Sequence, residues 1–130
     1  MDSDCTVVKY NYLISQNNLR SLMIIKIGAQ EYRVEERNSQ DDGMLNDGNH
    51  GYTVEAGNLI VIDKNITKGK KQVTLLHEVL HAIRFVNDGM PKPRAKDDFE
   101  EWEHYFIALY EDNLLAVLKN NPELKDWLIR

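Results

Sequence analysis

The run TLLHEVLHAI, from Thr74 to Ile83, constrains the fold most, because its apolar residues recur at the spacing of an amphipathic α-helix. Residues four apart lie one above the other on one face of a helix. His77 and His81 therefore share a face, and both imidazoles can bind one metal ion. Glu78 lies about 100° further round the helix. It is therefore not placed to be a third metal ligand beside the histidines, but it is well placed to take a proton from a water molecule at the metal's open position.

A helical wheel separates these histidines from the apolar side of the helix. The apolar positions are Leu75, Leu76, Val79, Leu80, Ala82, Ile83 and Val86. His77 and His81 fall on the opposite side with Glu78 between the two, which disfavours core histidines and favours a helix at the floor of a cleft. The alternative interpretation is a pair of histidines on a solvated helix face, with the motif a coincidence.

Composition limits the classes of protein to which the chain can belong. Its 130 residues suffice for one domain with its own core. The net charge of −5 disfavours a nucleic-acid surface, whose affinity comes from clustered Lys and Arg. No apolar run approaches the roughly 18 residues of a membrane span, no signal peptide precedes the domain, and Cys5 is a single cysteine suited to a reducing compartment. We therefore expect a cytoplasmic protein that binds neither nucleic acid nor membrane.

The first half of the chain predicts two β-hairpins. The predicted strands are Met23–Ile27, Glu31–Glu35, Tyr52–Val54 and Leu59–Ile62, with turns at Gly28–Ala29 and Glu55–Asn58. The last strand is wholly apolar, so we expect it to be buried. Residues 38–50 are rich in turn-forming residues and are expected to be a mobile loop. Residues 1–21 lack a clean period, and we expect a strand over Val7–Ile14 and a turn at Gln16–Asn18.

The second half predicts helices. They run from about Lys70 to Asn87, from a cap at Asp97 or Asp98 to about Asn120, and from Pro122 to the last residues. Gly89, with Pro91 and Pro93 after it, stops the first of them. Two hairpins followed by helices predict an α+β fold, in which a small antiparallel or mixed sheet packs on the helix that carries the motif HEVLH (His77–His81) and on a second long helix.

A catalytic zinc ion takes three protein ligands and keeps one position for water, so a third ligand is required. His104 lies 23 positions after His81, early in the second long helix, with Glu103 beside it. Helical spacing puts Glu103 in an apolar stripe, where metal coordination would remove the cost of burying a carboxylate. The other members of the stripe are Phe99, Phe106, Tyr110 and Val117. His104 shares its face with Glu100 and Glu111, either of which could orient the imidazole. The sequence pattern therefore allows either His104 or Glu103 to be the third ligand.

Four segments resemble the small phage and prophage relatives of the ImmA/IrrE group of HExxH metallopeptidases, over roughly residues 22–128. They are MIIKIGAQEYRVEE, NLIVID, TLLHEVLHAI and LLAVLKNNPEL. The resemblance implies a zincin-like, more specifically gluzincin-like, domain over residues 22–130, and it implies that residues 1–21 are an N-terminal extension. In that group two histidines and a downstream Glu hold Zn²⁺, and the Glu of HExxH is the base. Counting back without gaps from Asn121, the family's ligand Glu falls on His104. We therefore take His104 as the third ligand, with Glu103 as the alternative.

The resemblance also implies a function. It predicts a zinc metallopeptidase, a hydrolase that acts on a protein or peptide in the host cytoplasm, since relatives are associated with cutting or releasing transcriptional repressors. A phage or host regulator is the expected partner. An extended substrate could pair with the strand Tyr52–Val54 or with Leu59–Ile62, and His50, Tyr105 and Tyr110 are candidates for an additional hydrogen-bond donor to the reacting carbonyl. The alternatives are a weak or inactive zinc-containing module that sequesters a repressor, and a metal-free interaction domain.

Overall fold

The computed structural model describes residues 21–130, and over this range the protein has an α+β fold. The strands are β1 (Ser21–Ile27), β2 (Gln30–Arg37), β3 (Gly51–Val54) and β4 (Leu59–Asp63). The helices are α1 (Gly43–Asn46), α2 (Lys68–Val86), α3 (Phe99–Asn120) and α4 (Pro122–Ile129). Cys5, the strand predicted over Val7–Ile14 and the turn predicted at Gln16–Asn18 lie outside the described residues. Within residues 21–130, no helix combines the length and apolar character needed to cross a membrane.

The strands form one mixed sheet in the order β1-β2-β4-β3. Both predicted hairpins are confirmed, since β1 pairs antiparallel with β2 and β3 pairs antiparallel with β4. The first turn uses Gly28 at a φ of +58°, a conformation that favours glycine. The hairpins join through a parallel pairing of β2 with β4.

This topology makes β4 an interior strand and β3 an edge strand of the sheet formed by the described residues. All five residues of β4 are buried, which confirms the predicted burial. The expectation that Leu59–Ile62 could offer an open edge to a substrate is wrong, because β2 and β3 occupy the two sides of β4. Of the two strands proposed for substrate pairing, only Tyr52–Val54 lies at an edge of the sheet that residues 21–130 form.

Helices α2, α3 and α4 pack on one face of the sheet and enclose the main core, whereas α1 lies on the other face, where Leu45 packs with Leu59 and Val61. The buried members of the main core include Ile25, Tyr32, Val34, Ile60, Ile62, Leu75, Val79, Ile83, Val117 and Leu124. Helix α2 begins after the cap residue Thr67, whose side chain accepts a hydrogen bond from the Lys70 amide, and it ends at Val86, close to the predicted bounds. Its buried side differs from the helical wheel, since Leu76 is 38% exposed whereas Glu78 is 5% exposed. The difference arises because β3 packs against α2 and covers Glu78.

Helix α3 begins after Asp98, which caps it as predicted by accepting a hydrogen bond from the Glu101 amide. The stripe predicted to bury Glu103 is wrong: Glu103 is exposed, and Phe99 is 79% exposed. The buried positions of α3 are Tyr105 and Leu109, which lie outside the predicted stripe, and Val117, which belongs to it. The helix carries more apolar residues than one packed face can accept, and its contacts with α2 and β1 select which are buried.

Residues 38–50 contain regular structure that the turn-rich sequence did not predict. A 3₁₀ turn spans Ser39–Asp41, and α1 follows it. Asp42 caps α1 by accepting hydrogen bonds from the amides of Met44 and Leu45. Its other carboxylate oxygen accepts a hydrogen bond from the Tyr52 hydroxyl at 2.6 Å and one from Arg37 at 3.1 Å. Asp42 therefore joins this segment to the edge strand β3.

These hydrogen bonds make the stability of the fold depend on the ionised form of Asp42. Burial alone would raise the pKa of Asp42, but hydrogen bonds from Tyr52 and Arg37 outweigh it and lower the pKa below its ordinary value. A lowered pKa in the folded state contributes stability above the unfolded-state pKa of about 3.9, and that stability is lost as the pH falls through the folded-state pKa.

Asp42→Asn should therefore lower the free energy of unfolding by about 1–3 kcal/mol at pH 7, and by much less at pH 3. Asparagine retains the cap oxygen for α1 but loses the charge that Arg37 and Tyr52 stabilise. Urea unfolding at the two pH values measures the difference, with Asp41→Asn as a control at an exposed neighbour. An equal deficit at pH 7 and at pH 3 would contradict this role of the carboxylate.

Candidate metal centre

The two histidines of the HEVLH motif face each other on the surface of α2. The Nε2 atoms of His77 and His81 are 3.1 Å apart. Two imidazole nitrogens at about 2.0–2.1 Å from one tetrahedral Zn²⁺ lie about 3.3 Å apart. The measured separation is therefore close to that of two ligands on one metal ion, and the donor chemistry suits zinc.

The same distance also fits a hydrogen bond between two neutral imidazoles, in which one ring donates and the other accepts. The distance alone therefore establishes that the two nitrogens converge, without establishing what joins them. The ring of His81 also stacks on Phe85, with centroids 6.2 Å apart and planes 18° apart, and the Arg84 guanidinium lies 4.8 Å from the Phe85 centroid. The His81 ring therefore has aromatic neighbours on both sides, His77 and Phe85.

Glu78 differs from its neighbour in environment. The His77 side chain is 65% exposed, whereas the Glu78 side chain is 7% exposed. One carboxylate oxygen, Oε1, accepts a hydrogen bond of 2.8 Å from the Thr53 hydroxyl on β3. The other, Oε2, lies 3.9 Å from Nε2 of His77. The structure thus brings a buried carboxylate beside a pair of exposed imidazoles.

The close approach of β3 to α2 depends on a glycine. A Cβ atom on Gly51 would lie 2.6 Å from Cγ2 of Thr74 and 2.8 Å from the Val61 carbonyl oxygen, both too close for a real contact. Successive side chains of a strand point to opposite faces, so Gly51 and Thr53 face the helix while Tyr52 faces Asp42. The missing side chain at position 51 lets the strand approach closely enough for Thr53 to contact Glu78.

The third predicted ligand is not gathered with the other two. His104 and Glu103 both lie exposed on α3. Within residues 21–130, no group of three His, Cys, Asp or Glu side chains is arranged to hold a metal ion. Helix α3 does pack on α2, and the Tyr110 hydroxyl donates a hydrogen bond of 3.3 Å to the Leu80 carbonyl. The described residues therefore supply two converging nitrogen donors and one adjacent carboxylate.

The candidates for an extra hydrogen-bond donor have other surroundings. The Tyr110 hydroxyl is used in the bond to Leu80, and burial raises the pKa of this tyrosine. Tyr105 is buried, and its ring contacts Trp102 and Phe106 edge-on. His50 is exposed and lines a hollow of about 250 Å³ at the start of α2. The hydrogen bond of Tyr110 and the ring packing of Tyr105 are structural roles that account for both tyrosines.

Sequence reasoning missed Thr53 and Gly51, which bring the edge strand to the site. Their signal was present in the alternation of the strand GYTV, which puts these two residues on one face. The alternation did not indicate which element the strand would pack against, because the local sequence does not reveal that β3 packs on the HEVLH helix.

Comparisons with models of protein families, with curated proteins and with solved structures find no match to this chain.

Proposed function

We propose that the protein is a zinc-dependent peptidase with a zincin-like fold, in which His77 and His81 hold Zn²⁺ and Glu78 is the general base. One observation carries the proposal: two histidine nitrogens converge to 3.1 Å beside a carboxylate that β3 covers. This arrangement combines a metal-ligand pair with a group able to accept a proton. A hydrogen-bonded histidine pair on a solvated helix face would not explain why the carboxylate of Glu78 is buried beside it.

In peptide hydrolysis, the two histidines would hold the zinc ion and Glu78 would transfer the proton. A zinc ion held by the histidines would lower the pKa of a water molecule towards about 7 and polarise the scissile carbonyl. Glu78 would accept a proton as the water oxygen attacks the carbonyl carbon. It would then return that proton to the amine nitrogen as the C–N bond breaks. Thus Glu78 carries the proton through both halves of the reaction.

The third ligand is proposed to come from α3. His104 is the first choice and Glu103 the alternative, as the resemblance to the ImmA/IrrE group implies. The packing of α3 against α2 supports a ligand from this helix. Because both side chains are exposed, either is free to change rotamer without losing a packed contact in the core.

The substrate is proposed to be an extended peptide that pairs with β3. This strand is an edge of the described sheet, and its residue Thr53 contacts Glu78. Addition of a strand at such an edge uses main-chain hydrogen bonds for affinity. Pairing there would lay the peptide beside the base and the histidines. A phage or host transcriptional regulator in the cytoplasm is the partner that the resemblance implies.

The arrangement of the described residues also supports a second candidate function. Since residues 21–130 do not gather a third ligand around the histidines, a weak or inactive zinc-containing module that sequesters a repressor remains an alternative. The two functions predict different consequences for Glu78, since only a peptidase needs a base.

Zinc analysis tests the shared premise of both functions. Protein purified, dialysed against a chelator and reloaded with ZnCl₂ should retain about one zinc ion per chain. His77→Ala and His81→Ala should each reduce retained zinc to a small fraction of that ratio, because one nitrogen donor is lost from each. His50→Ala is the matched control, an exposed histidine that should leave the ratio unchanged. Equal zinc contents in all four proteins would refute the site.

The same measurement selects the third ligand. His104→Ala and Glu103→Ala are compared. The variant that lacks the coordinating side chain should bind zinc more weakly, and the other should bind zinc like the wild type. Wild-type affinity in both variants would exclude α3 as the source of the ligand.

A further inference from the structure

The hydrogen bond between Thr53 and Glu78 gives the carboxylate a defined orientation. The Glu78 side chain is 7% exposed, and a buried carboxylate is costly unless donors satisfy it. Among residues 21–130, the Thr53 hydroxyl is the side-chain donor to this carboxylate, at 2.8 Å from Oε1. The same hydroxyl lies 3.3 Å from the Glu78 carbonyl oxygen. Thr53 therefore contacts both the backbone and the side chain of Glu78.

The two carboxylate oxygens have different neighbours. Oε1 is on the side of β3, and Oε2 is on the side of the histidines, 3.9 Å from Nε2 of His77. The terminal torsion of a glutamate is broad and roughly two-fold, so the carboxylate can rotate unless one oxygen is held. A hydroxyl that donates to Oε1 leaves Oε2 on the side of His77.

Thr53 itself is held from both faces of β3. On the face towards α2, Gly51 lets the strand lie close enough for this contact. On the other face, the neighbouring residue Tyr52 donates a hydrogen bond of 2.6 Å to Asp42, which also accepts one from Arg37. The position of the hydroxyl is thus determined by the strand and by the charged cluster beyond it.

We infer that Thr53 is the positioning residue for the general base. It holds Oε1 of Glu78, so that Oε2 is the oxygen that takes and returns the proton. This inference rests on the proposed peptidase function for its effect on catalysis. The orientation of the carboxylate is a property of the metal-free chain and is tested separately.

The catalytic test compares Thr53→Val with Thr53→Ser in the zinc-loaded full-length chain. Valine matches the shape of threonine without the hydroxyl, whereas serine retains the hydroxyl. With a quenched fluorescent peptide library as substrate, Thr53→Val should lower kcat about 10- to 100-fold with little change in KM. Thr53→Ser should recover most of the activity, which a purely steric role of the side chain does not predict. Equal kcat in wild type and Thr53→Val would overturn the inference and leave the peptidase function standing.

The metal-free test is a double-mutant cycle on stability, measured by urea unfolding of the chelator-treated chain. In the presence of Glu78, Thr53→Val should lower the folding equilibrium constant about tenfold or more, as expected for a hydrogen bond to a charged group. In a Glu78→Met background the same change should have a much smaller effect. Equal effects in the two backgrounds would overturn the inference whatever the activity. A wild type that cleaves no peptide would refute the proposed function, and the cycle alone would then decide whether Thr53 orients Glu78.

Discussion

Zinc-loaded Glu78→Gln protein should bind zinc like the wild type and lose peptide hydrolysis, by a factor of about 10²–10⁴ in kcat. Glutamine has nearly the shape of glutamate, and its amide oxygen can still accept the hydrogen bond from Thr53. It cannot take a proton from water at neutral pH. The change therefore removes the proposed base while leaving the histidine pair, with its 3.1 Å separation, in place.

The experiment measures zinc content and cleavage of the quenched fluorescent peptide library on the same preparations. Glu123→Gln is the matched control, since Glu123 is exposed on α4 and should retain wild-type activity and zinc. Retained cleavage by pure Glu78→Gln protein would refute the role of Glu78 as base. An inactive wild type with bound zinc would favour the alternative of a module that sequesters its partner.

Asn121→Ala should lower the free energy of unfolding by about 2–4 kcal/mol, the largest effect on stability that we expect from a polar residue of this fold. The buried Asn121 side chain lies between the end of α3 and the edge strand β1. Its oxygen accepts a hydrogen bond of 2.8 Å from the Lys26 amide, and its nitrogen donates to the carbonyls of Lys26 and Val117, each at 2.8 Å. Alanine would leave three main-chain groups without this partner.

Urea unfolding compares this variant with Asn120→Ala, in which the neighbouring exposed asparagine is removed. The control should lose less than about 0.5 kcal/mol. Asn121→Asp is a second test, because the carboxylate can still accept from the Lys26 amide but cannot donate to either carbonyl. It should be destabilised to a similar extent. Equal stabilities of Asn121→Ala and Asn120→Ala would show that the amide does not hold β1 to the helices.

Local patterns were sufficient to predict strands β1 to β4 and helices α2, α3 and α4, but not the 3₁₀ turn and α1 that follow β2. The HEVLH helix was expected from about Lys70 and spans Lys68–Val86, because the spacing of apolar residues and the stop signals after it act within a few residues. Asp98 caps α3 as expected, and both hairpins form. The convergence of His77 and His81 follows from the helical repeat alone.

Contacts distant in sequence were not predictable in this way. The helical wheel put Leu76 in the core and did not bury Glu78, and spacing put Glu103 in a buried stripe, whereas the structure reverses all three. A single helix shows which residues are apolar, but the neighbouring element selects the side that is covered. For Glu78 that element is β3, through Thr53.

The sequence by itself determined the α+β class, strands β1 to β4, helices α2 to α4, and a histidine pair with a carboxylate beside it, since these depend on backbone periodicity and side-chain chemistry. Only the tertiary structure decided that β3 is an edge strand of the described sheet, that Thr53 contacts Glu78, and that Asn121 holds β1. These features depend on the parallel pairing of β2 with β4 and on packing between segments that are far apart in the chain. Such contacts depend on the free energy of the whole fold, and local sequence patterns do not reveal them.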